Sequence, residues 1–333
     1  MKTSHLKSVL LTLPMLFITA LMLSGGKAPF GFEARISFAI VYLFLNSCFF
    51  MIIHTGKTDR WRALVFIVLS LSFVLTFVTH MLETRGTIIL KDSVMLSGGT
   101  PFCHLVIPQT IIPLALSRTI IFPGTILGGY ASIASMLVLW ILFSLALGRG
   151  WCSWGCFFGG LDDMFSRLRK APITRIISTK WTDVSIAVLI AAILFSAASL
   201  SPFYCNWLCP YKAVTEFREV HSFTILIQTV IFVALFLGLV IVLPLLTKKR
   251  TQCGILCPFG AFQSFTNYIN PFEMRIDTAK CVNCGTCVKE CPVFAMTEES
   301  RRQGHTRLNC MKCGKCADRC PSQAISHHVK LAE

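Results

Sequence analysis

Long apolar runs separated by short basic stretches fill the first three-quarters of the chain, and a cysteine-rich, more polar tail follows. Six runs, at about 8–24, 36–54, 62–80, 129–147, 183–200 and 222–246, carry almost no charge. Each is long enough for a helix to cross a hydrocarbon core about 30 Å thick. The first run has features of a signal peptide, with Lys2 and Lys7 before it and Ser24-Gly25-Gly26 after it. No clear Ala-x-Ala cleavage site follows, so it is expected to stay as an anchor. Residues 102–128 are also apolar, but Pro108, Pro113, Pro123 and Arg118 interrupt them. Three prolines and a charge argue against a full span, so this segment is expected to re-enter or to lie at the outer interface.

Composition agrees with the pattern. Apolar residues make up 54% of the 333 positions and charged residues 14%, against roughly 25% charged in an ordinary soluble domain. A soluble enzyme, a disordered tail and a nucleic-acid-binding domain are all disfavoured. The net charge of +15 follows topology instead. Loops on one side of the six runs hold 14 Lys and Arg and those on the other hold 7, with the rest beyond residue 250. The richer side is expected to be cytoplasmic, which puts the tail there and gives the basic loops anionic lipid as a partner.

Sixteen cysteines add the chemistry, and 14 of them are clustered. Residues 281–292 read Cys-Val-Asn-Cys-Gly-Thr-Cys-Val-Lys-Glu-Cys-Pro, and 310–321 read Cys-Met-Lys-Cys-Gly-Lys-Cys-Ala-Asp-Arg-Cys-Pro. Each is C-x2-C-x2-C-x3-C-P, the bacterial ferredoxin rhythm, in which the fourth cysteine serves the other cluster. Cys281, Cys284, Cys287 and Cys320 are therefore expected to hold one [4Fe–4S] cluster, and Cys310, Cys313, Cys316 and Cys291 a second. Zinc ribbons also pair C-x2-C units, but they do not call for this rhythm twice with both prolines. The continuations Cys291-Pro-Val-Phe-Ala-Met and Cys320-Pro-Ser-Gln-Ala-Ile mark an internal duplication.

Six more cysteines form Cys-x-x-x-Cys pairs: Cys152/Cys156, Cys205/Cys209 and Cys253/Cys257. On a helical turn, positions i and i+4 share a face. The first and third pairs should face the cytoplasm and together offer four thiolates, the ligand count of a further iron–sulfur centre. The middle pair should face outward, with Cys103, His104, His80 and His221 on the same side. Cys205, Cys209, Cys103 and His104 make a candidate outer site for copper, zinc or a cluster, and a disulfide between Cys205 and Cys209 is the alternative. The ordinary account of the three histidines is packing or loop position, and Cys48 reads as a buried apolar side chain.

The segments Gly148-Arg149-Gly150-Trp151-Cys152-Ser153-Trp154-Gly155-Cys156 and Arg250-Thr251-Gln252-Cys253-Gly254-Ile255-Leu256-Cys257-Pro258-Phe259-Gly260-Ala261 resemble the NapH/NosR polyferredoxin family. The resemblance runs from about residue 129 to 325. It implies membrane helices bearing CxxxCP motifs joined to a cytoplasmic double [4Fe–4S] domain. That family includes the quinol-dehydrogenase component of periplasmic nitrate reduction and a nitrous-oxide reductase maturation factor, and a copper-reducing assembly factor is related to it. Phe157 stands where the family has proline after the first pair, the Cys205/Cys209 pair is additional, and the first 128 residues match no family pattern. No covalent-flavin threonine motif is present, so a flavin, if used, belongs to a partner.

The expected fold is an α-helical integral membrane protein of about six spans over residues 1–250. A CxxxCP connector at 251–272 and an α+β 2[4Fe–4S] ferredoxin domain at 273–333 follow. The expected function is electron transfer in a bacterial-type cytoplasmic membrane, between a quinol or cytoplasmic donor and a periplasmic or membrane redox partner bearing flavin or haem. The alternatives are a copper reductase or maturation factor using the outer cysteines, and a thiol–disulfide conduit. Glu33, Glu83, Asp92, Glu216 and Glu219 are expected near the outer face, where a carboxylate can take a quinol proton, although a solvated loop charge is the ordinary account of each. No nucleophile–base set is present, and there is no C-x-x-C-H for haem attachment.

Overall fold

A computed structural model describes residues 5–24, 31–84, 104–118, 133–174, 176–215, 220 and 222–330. Cys103, Asp92, Glu216, Glu219 and His221 lie outside the described residues, as do the side chains of His80 and Glu83.

The chain opens with a helical hairpin of α1 (His5–Ser24) and α2 (Phe32–Thr55). Both helices are apolar almost all round, and Phe17 at 71% and Phe32 at 80% stand exposed. Such surface suits lipid rather than water. Between the helices the specific contacts are polar. Asn46 donates to the Thr19 hydroxyl (2.8 Å) and to the Tyr42 carbonyl, and Tyr42 donates to the Leu16 carbonyl. In lipid, such bonds and close packing hold helices together, because apolar contact alone gains little. Gly56, at φ 67°, caps α2 in the left-handed conformation that glycine adopts without a Cβ clash.

Helix α3 (Thr58–Thr84) packs against α6 (Phe157–Arg167). Between them lies α4 (Ile107–Ser117), entered through a short 3-10 turn at His104–Val106, and then α5 (Ile133–Leu147). Helix α7 (Thr182–Ser199) follows, and then α8 (Phe223–Thr247). Among the described residues, five helical stretches are long and apolar enough to cross a membrane: His5–Ser24, Phe32–Thr55, Leu137–Trp154, Thr179–Ser199 and Phe223–Thr247. These coincide with five of the six expected runs. The remaining run, 62–80, lies in α3, whose side chains beyond residue 75 are outside the described residues; its first turns carry Asp59 and Arg62 in ion pairs with Asp163 and Arg167.

The segments after α5 and α8 turn back into the protein. Lys248 adopts φ 58° at the end of α8. Four residues on from Thr247, the Thr251 hydroxyl reaches the carbonyl of Leu239, a residue on α8 itself. A π-helical turn at Gln252–Leu256 and α9 (Pro258–Thr266) follow. After α5, Gly148 takes φ 52°, and a Cβ there would strike the Asn267 amide. A single turn at Trp151–Trp154 then leads into α6.

The tail forms a two-stranded antiparallel ribbon of β1 (Phe272–Ile276) and β2 (Ile325–Val329), with Phe272 opposite Val329 and Ile276 opposite Ile325. The two cysteine loops lie between these strands and repeat at the level of the backbone. Left-handed residues recur in pairs 29 positions apart: Asn283 and Lys312, Gly285 and Gly314, Phe294 and Gln323. Two cores result. One gathers Trp140, Cys156, Phe158, Tyr204, Cys209 and Cys257 inside the helices, and the other joins the tail to Cys152 and Cys253.

Candidate iron–sulfur sites

In the tail, Cys281, Cys284, Cys287 and Cys320 line one hollow together with Ile276, Arg301 and Ile325. A second hollow is lined by Cys291, Cys310, Cys313 and Cys316 with Met274, Met296 and Met311. The fourth cysteine of each run thus sits with the first three of the other. The local cause is the turn at each proline. After Cys291 and Cys320 the chain reverses through Phe294 and Gln323, so that the amides of Ala295 and Ala324 donate back to the Cys291 sulfur (3.2 Å) and the Cys320 sulfur (3.4 Å). N–H donors aimed at sulfur favour a thiolate ligand.

The two hollows differ in exposure. Cys284 is exposed, and the Thr286 hydroxyl, then its amide, hold its thiol below the ordinary value. Burial pushes Cys310 up to about 11. A thiolate at that position needs a cation such as iron beside it, because desolvation penalises the bare anion.

The second hollow faces the helices. Arg62, buried at 2% exposure, donates from Nε to the Cys313 carbonyl (3.1 Å) and from Nη1 to the Ser153 carbonyl (2.7 Å). Asn267 donates to the carbonyls of Cys310 and Leu308 while its Oδ1 accepts from the Arg149 amide (3.0 Å). Lys249 donates to the Cys291 carbonyl, and the Trp154 indole to the Lys312 carbonyl. The Asp318 carboxylate accepts from the amides of Thr58 and Asp59 (3.1 and 2.8 Å), capping α3 from the tail. Arg62, Asn267 and Arg149 therefore connect the loops of the second hollow directly to the first and third Cys-x-x-x-Cys segments.

Those two segments approach one another as a near-symmetric pair. Cys152, Cys156, Cys253 and Cys257 are all buried, and each lies within electrostatic reach of at least one thiol from the opposite segment. Arg149 precedes Cys152 by three residues and Arg250 precedes Cys253 by three. Arg149 Nη2 donates to the Cys253 carbonyl (2.8 Å), and Arg250 Nη2 donates to the Cys152 carbonyl (2.7 Å) and approaches the Cys253 sulfur (3.4 Å). Each arginine thus binds the other segment's motif. Both are 1% exposed. Burial pulls the Arg250 pKa down, but the Cys253 thiolate, Asp163 and Asp162 more than offset this and hold it above its ordinary value. The Nε atoms of Arg149 and Arg250 have no hydrogen-bond partner among the described residues. A buried, charged donor without an acceptor is costly. Four thiols, two orphaned cationic donors and no carboxylate among the would-be ligands fit a [4Fe–4S] group, which is a net anion rich in sulfur acceptors.

The middle pair's segment contacts both of the others. Cys209 shares the helical core with Cys156 and Cys257. The Tyr204 hydroxyl accepts from Gln252 (2.9 Å), and the Tyr211 hydroxyl donates to the Phe158 carbonyl (3.0 Å). Of the expected outer group, His104 is buried at 2% exposure with Nε2 3.3 Å from the Cys156 sulfur, enclosed by Trp140, Trp151 and Phe259. Cys205 instead receives the Gln109 amide (3.6 Å), whose Oε1 accepts from the Tyr204 amide and the Ser196 hydroxyl. His104 is thus brought to the first pair. Spacing alone missed Arg62, Asn267 and Gln109, which come from distant segments. The repeated Arg-x-x-Cys was visible in the sequence and was the one available signal for the guanidinium pair.

Sequence comparisons agree with this chemistry. Residues 273–321 match the 4Fe-4S dicluster domain, and residues 129–175, 182–225 and 229–273 each match a 4Fe-4S binding domain. The chain carries iron–sulfur domains. Three successive matches make each Cys-x-x-x-Cys segment one copy of a repeated helix-plus-motif unit. YccM of Escherichia coli (strain K12), whose name assigns it to electron transport, is 28% identical over 177 residues, covering 49% of this chain and 46% of that protein. The methylamine utilization ferredoxin-type protein MauN of Methylobacillus flagellatus is 27% identical over 188 residues, covering 56% of this chain and 62% of its own. The chain spans about half to two-thirds of the length of these relatives. No solved structure matches it.

Proposed function

We propose that this chain is a membrane-bound iron–sulfur electron-transfer protein of the polyferredoxin type. In this reading Cys281, Cys284, Cys287 and Cys320 hold one [4Fe–4S] cluster, Cys310, Cys313, Cys316 and Cys291 hold a second, and Cys152, Cys156, Cys253 and Cys257 hold a third at the membrane surface. Bound there, the clusters would supply one-electron relay sites. The protein's own residues fix their order and polarity. The first site lies outermost, with Cys284 exposed to a soluble partner. The second is clamped to the helices, and the third is buried beneath it.

The observation that carries this reading is the pair of side-chain bridges. Arg62 joins the Cys313 carbonyl to Ser153, next to Cys152. Asn267 joins the Cys310 carbonyl to Arg149, whose guanidinium binds the Cys253 carbonyl. A direct, hydrogen-bonded contact between two sets of four cysteines is what a relay needs and what a tethered mobile ferredoxin would lack. Excess Lys and Arg on the tail's side of the apolar runs supports a cytoplasmic ferredoxin domain. The relay then runs between a quinol or cytoplasmic donor and a redox partner at the opposite face. The names of YccM and MauN agree with electron transport.

Iron and acid-labile sulfide per chain after anaerobic purification, with EPR of the reduced protein, test this reading. About twelve irons are expected, four for each set of cysteines. About eight would remove the third centre, and near zero iron with stoichiometric zinc would overturn the whole assignment.

A further inference from the structure

The geometry assigns a specific role to the reciprocal arginines. We propose that Arg149 and Arg250 form a buried cationic clasp that raises the reduction potential of the centre held by Cys152, Cys156, Cys253 and Cys257. This inference deepens the proposed third centre and rests on it.

The clasp is built in at several levels. Both arginines sit three residues before the first cysteine of their motif, yet neither folds onto its own carbonyl. Each crosses to the opposite motif, to the carbonyls of Cys253 and Cys152. Space for this crossing is left by glycine. A Cβ at Gly159 would lie 2.7 Å from Arg250 Nη2 and still closer to the Cys152 carbonyl. At the matching position, a Cβ on Gly260 would lie 2.9 Å from the Cys253 carbonyl and 3.5 Å from Arg149 Nη2. The remaining donors secure each fork: Arg250 Nη1 to the Ser153 hydroxyl (2.9 Å) and Nη2 to the Gly159 carbonyl (2.8 Å), Arg149 Nη1 to the Ser264 hydroxyl (2.5 Å).

The charges do not cancel locally. Arg62 and Arg167 are matched by Asp59 and Asp163 in a four-membered ion network. Asp162 accepts the Cys253 amide (2.9 Å) and, among the described residues, is the remaining buried carboxylate near the clasp. Two guanidiniums therefore face one carboxylate, and an anionic thiolate-bound group supplies the missing countercharge. Net charge and hydrogen bonds to sulfur set iron–sulfur potentials. A fixed positive charge in a dry site stabilises the more negative, reduced state most. Loss of either arginine should therefore make the centre harder to reduce.

The test is a redox titration, followed by EPR, of the full chain in detergent for wild type, R149Q, R250Q, R149K and R250K, with iron counted in each. The glutamine variants are expected to keep about twelve irons. At a fixed ambient potential their third centre should show at least a tenfold smaller ratio of reduced to oxidised form, a shift of about 59 mV to lower potential for a one-electron couple. The lysine variants keep the charge and should recover most of that shift. If one glutamine variant loses the third-centre iron, its symmetry mate must retain the iron and shift. A full iron count with an unmoved potential would overturn the clasp while leaving the centre intact. So would lysine variants shifted as far as the glutamine ones, or loss of the third-centre iron from both glutamine variants, which would make the arginines scaffold only. A wild-type count of about eight irons would remove the third centre itself, a result distinct from all of these.

Discussion

Asp163 shows how one residue can hold the tail's partner surface in shape. It is 1% exposed on α6 and pairs with Arg62 (3.1 Å) and Arg167 (3.0 Å). Burial pushes its carboxyl up, but Arg62, Arg167 and Arg250 outweigh that and hold it well below the ordinary carboxylate range. A carboxylate depressed in the folded state contributes stability that is present above its unfolded value and is lost as pH falls through the folded one. Near neutral pH that contribution is complete. Asp163→Asn would leave the buried Arg62 and the partly buried Arg167 short of a countercharge, and Arg62 also holds Cys313 and Ser153. Breaking a buried pair by removing one partner costs about 3–5 kcal/mol. The expected outcome is a clear fall in the unfolding midpoint at pH 7 in detergent, with a smaller difference from wild type as the pH is lowered. An unchanged midpoint at pH 7 would show that Asp163 is not a structural countercharge.

At the scale of elements, α3 and α6 approach one another closely at Gly160. At Gly160 a Cβ would collide with the Ser70 hydroxyl and lie 2.6 Å from the Phe66 carbonyl. Backbone cannot yield as a flexible side-chain tip can, so Gly160→Ala must push the two helices apart. Overpacking of this kind costs about 1–3 kcal/mol. Because Arg62 on α3 and Asp163 on α6 would separate together, the variant should lose thermal stability, and it should lose tail attachment as well, read as faster proteolysis between α9 and the tail. Wild-type protease resistance would count against it.

The same elements show what could be read from the chain alone. Among the described residues, five of the apolar runs were legible because length and lack of charge suffice to identify a helix that suits lipid. That Cys320 should lie beside Cys281, Cys284 and Cys287, and Cys291 beside Cys310, Cys313 and Cys316, could be anticipated because a repeated short motif is a local code, and the two hollows are lined in that way. What followed each span was not. Hydropathy records how long an apolar run is, and says nothing of a chain that turns back to place Thr251 against Leu239. His104 was read as part of an outer group because the segment that carries it falls on the side of the apolar runs with fewer Lys and Arg. The 3-10 turn and α4 bring it to Cys156 instead. Its partner lies 52 positions away, a distance over which a single sequence carries no pairing signal.

For the molecule as a whole, the arrangement is graded from solvent to core. Cys284 is exposed, while Cys281 and Cys320 are partly so. Cys291 at 7% and Cys313 at 8% are closed in, and Cys152 and Cys253 at 4% and 6% lie between the tail and the helices. Cys310 and Cys316 of the second site are also partly exposed. A soluble partner can therefore approach the first site most closely, at Cys284, the second less so and the third least, and reagents that attack iron–sulfur groups should follow the same order. Under limited oxidation, the first site is expected to lose its iron before the second and third. Alkylation followed by mass spectrometry should then find label at Cys284 first, next at Cys281 and Cys320, and last at Cys313, Cys152 and Cys253. Thiolate-bound iron blocks alkylation until the group is lost, so the order of labelling reports the order of loss. Equal labelling rates at Cys284 and Cys313 would mean that the tail detaches readily and that Arg62, Asn267 and Asp318 do not hold it in place. Ordered labelling that collapses to equal rates in Asp318→Ala would show instead that the order depends on docking. In that case the cap on α3 is part of what keeps the inner sites away from soluble reagents and limits exchange with a soluble partner to the outermost one.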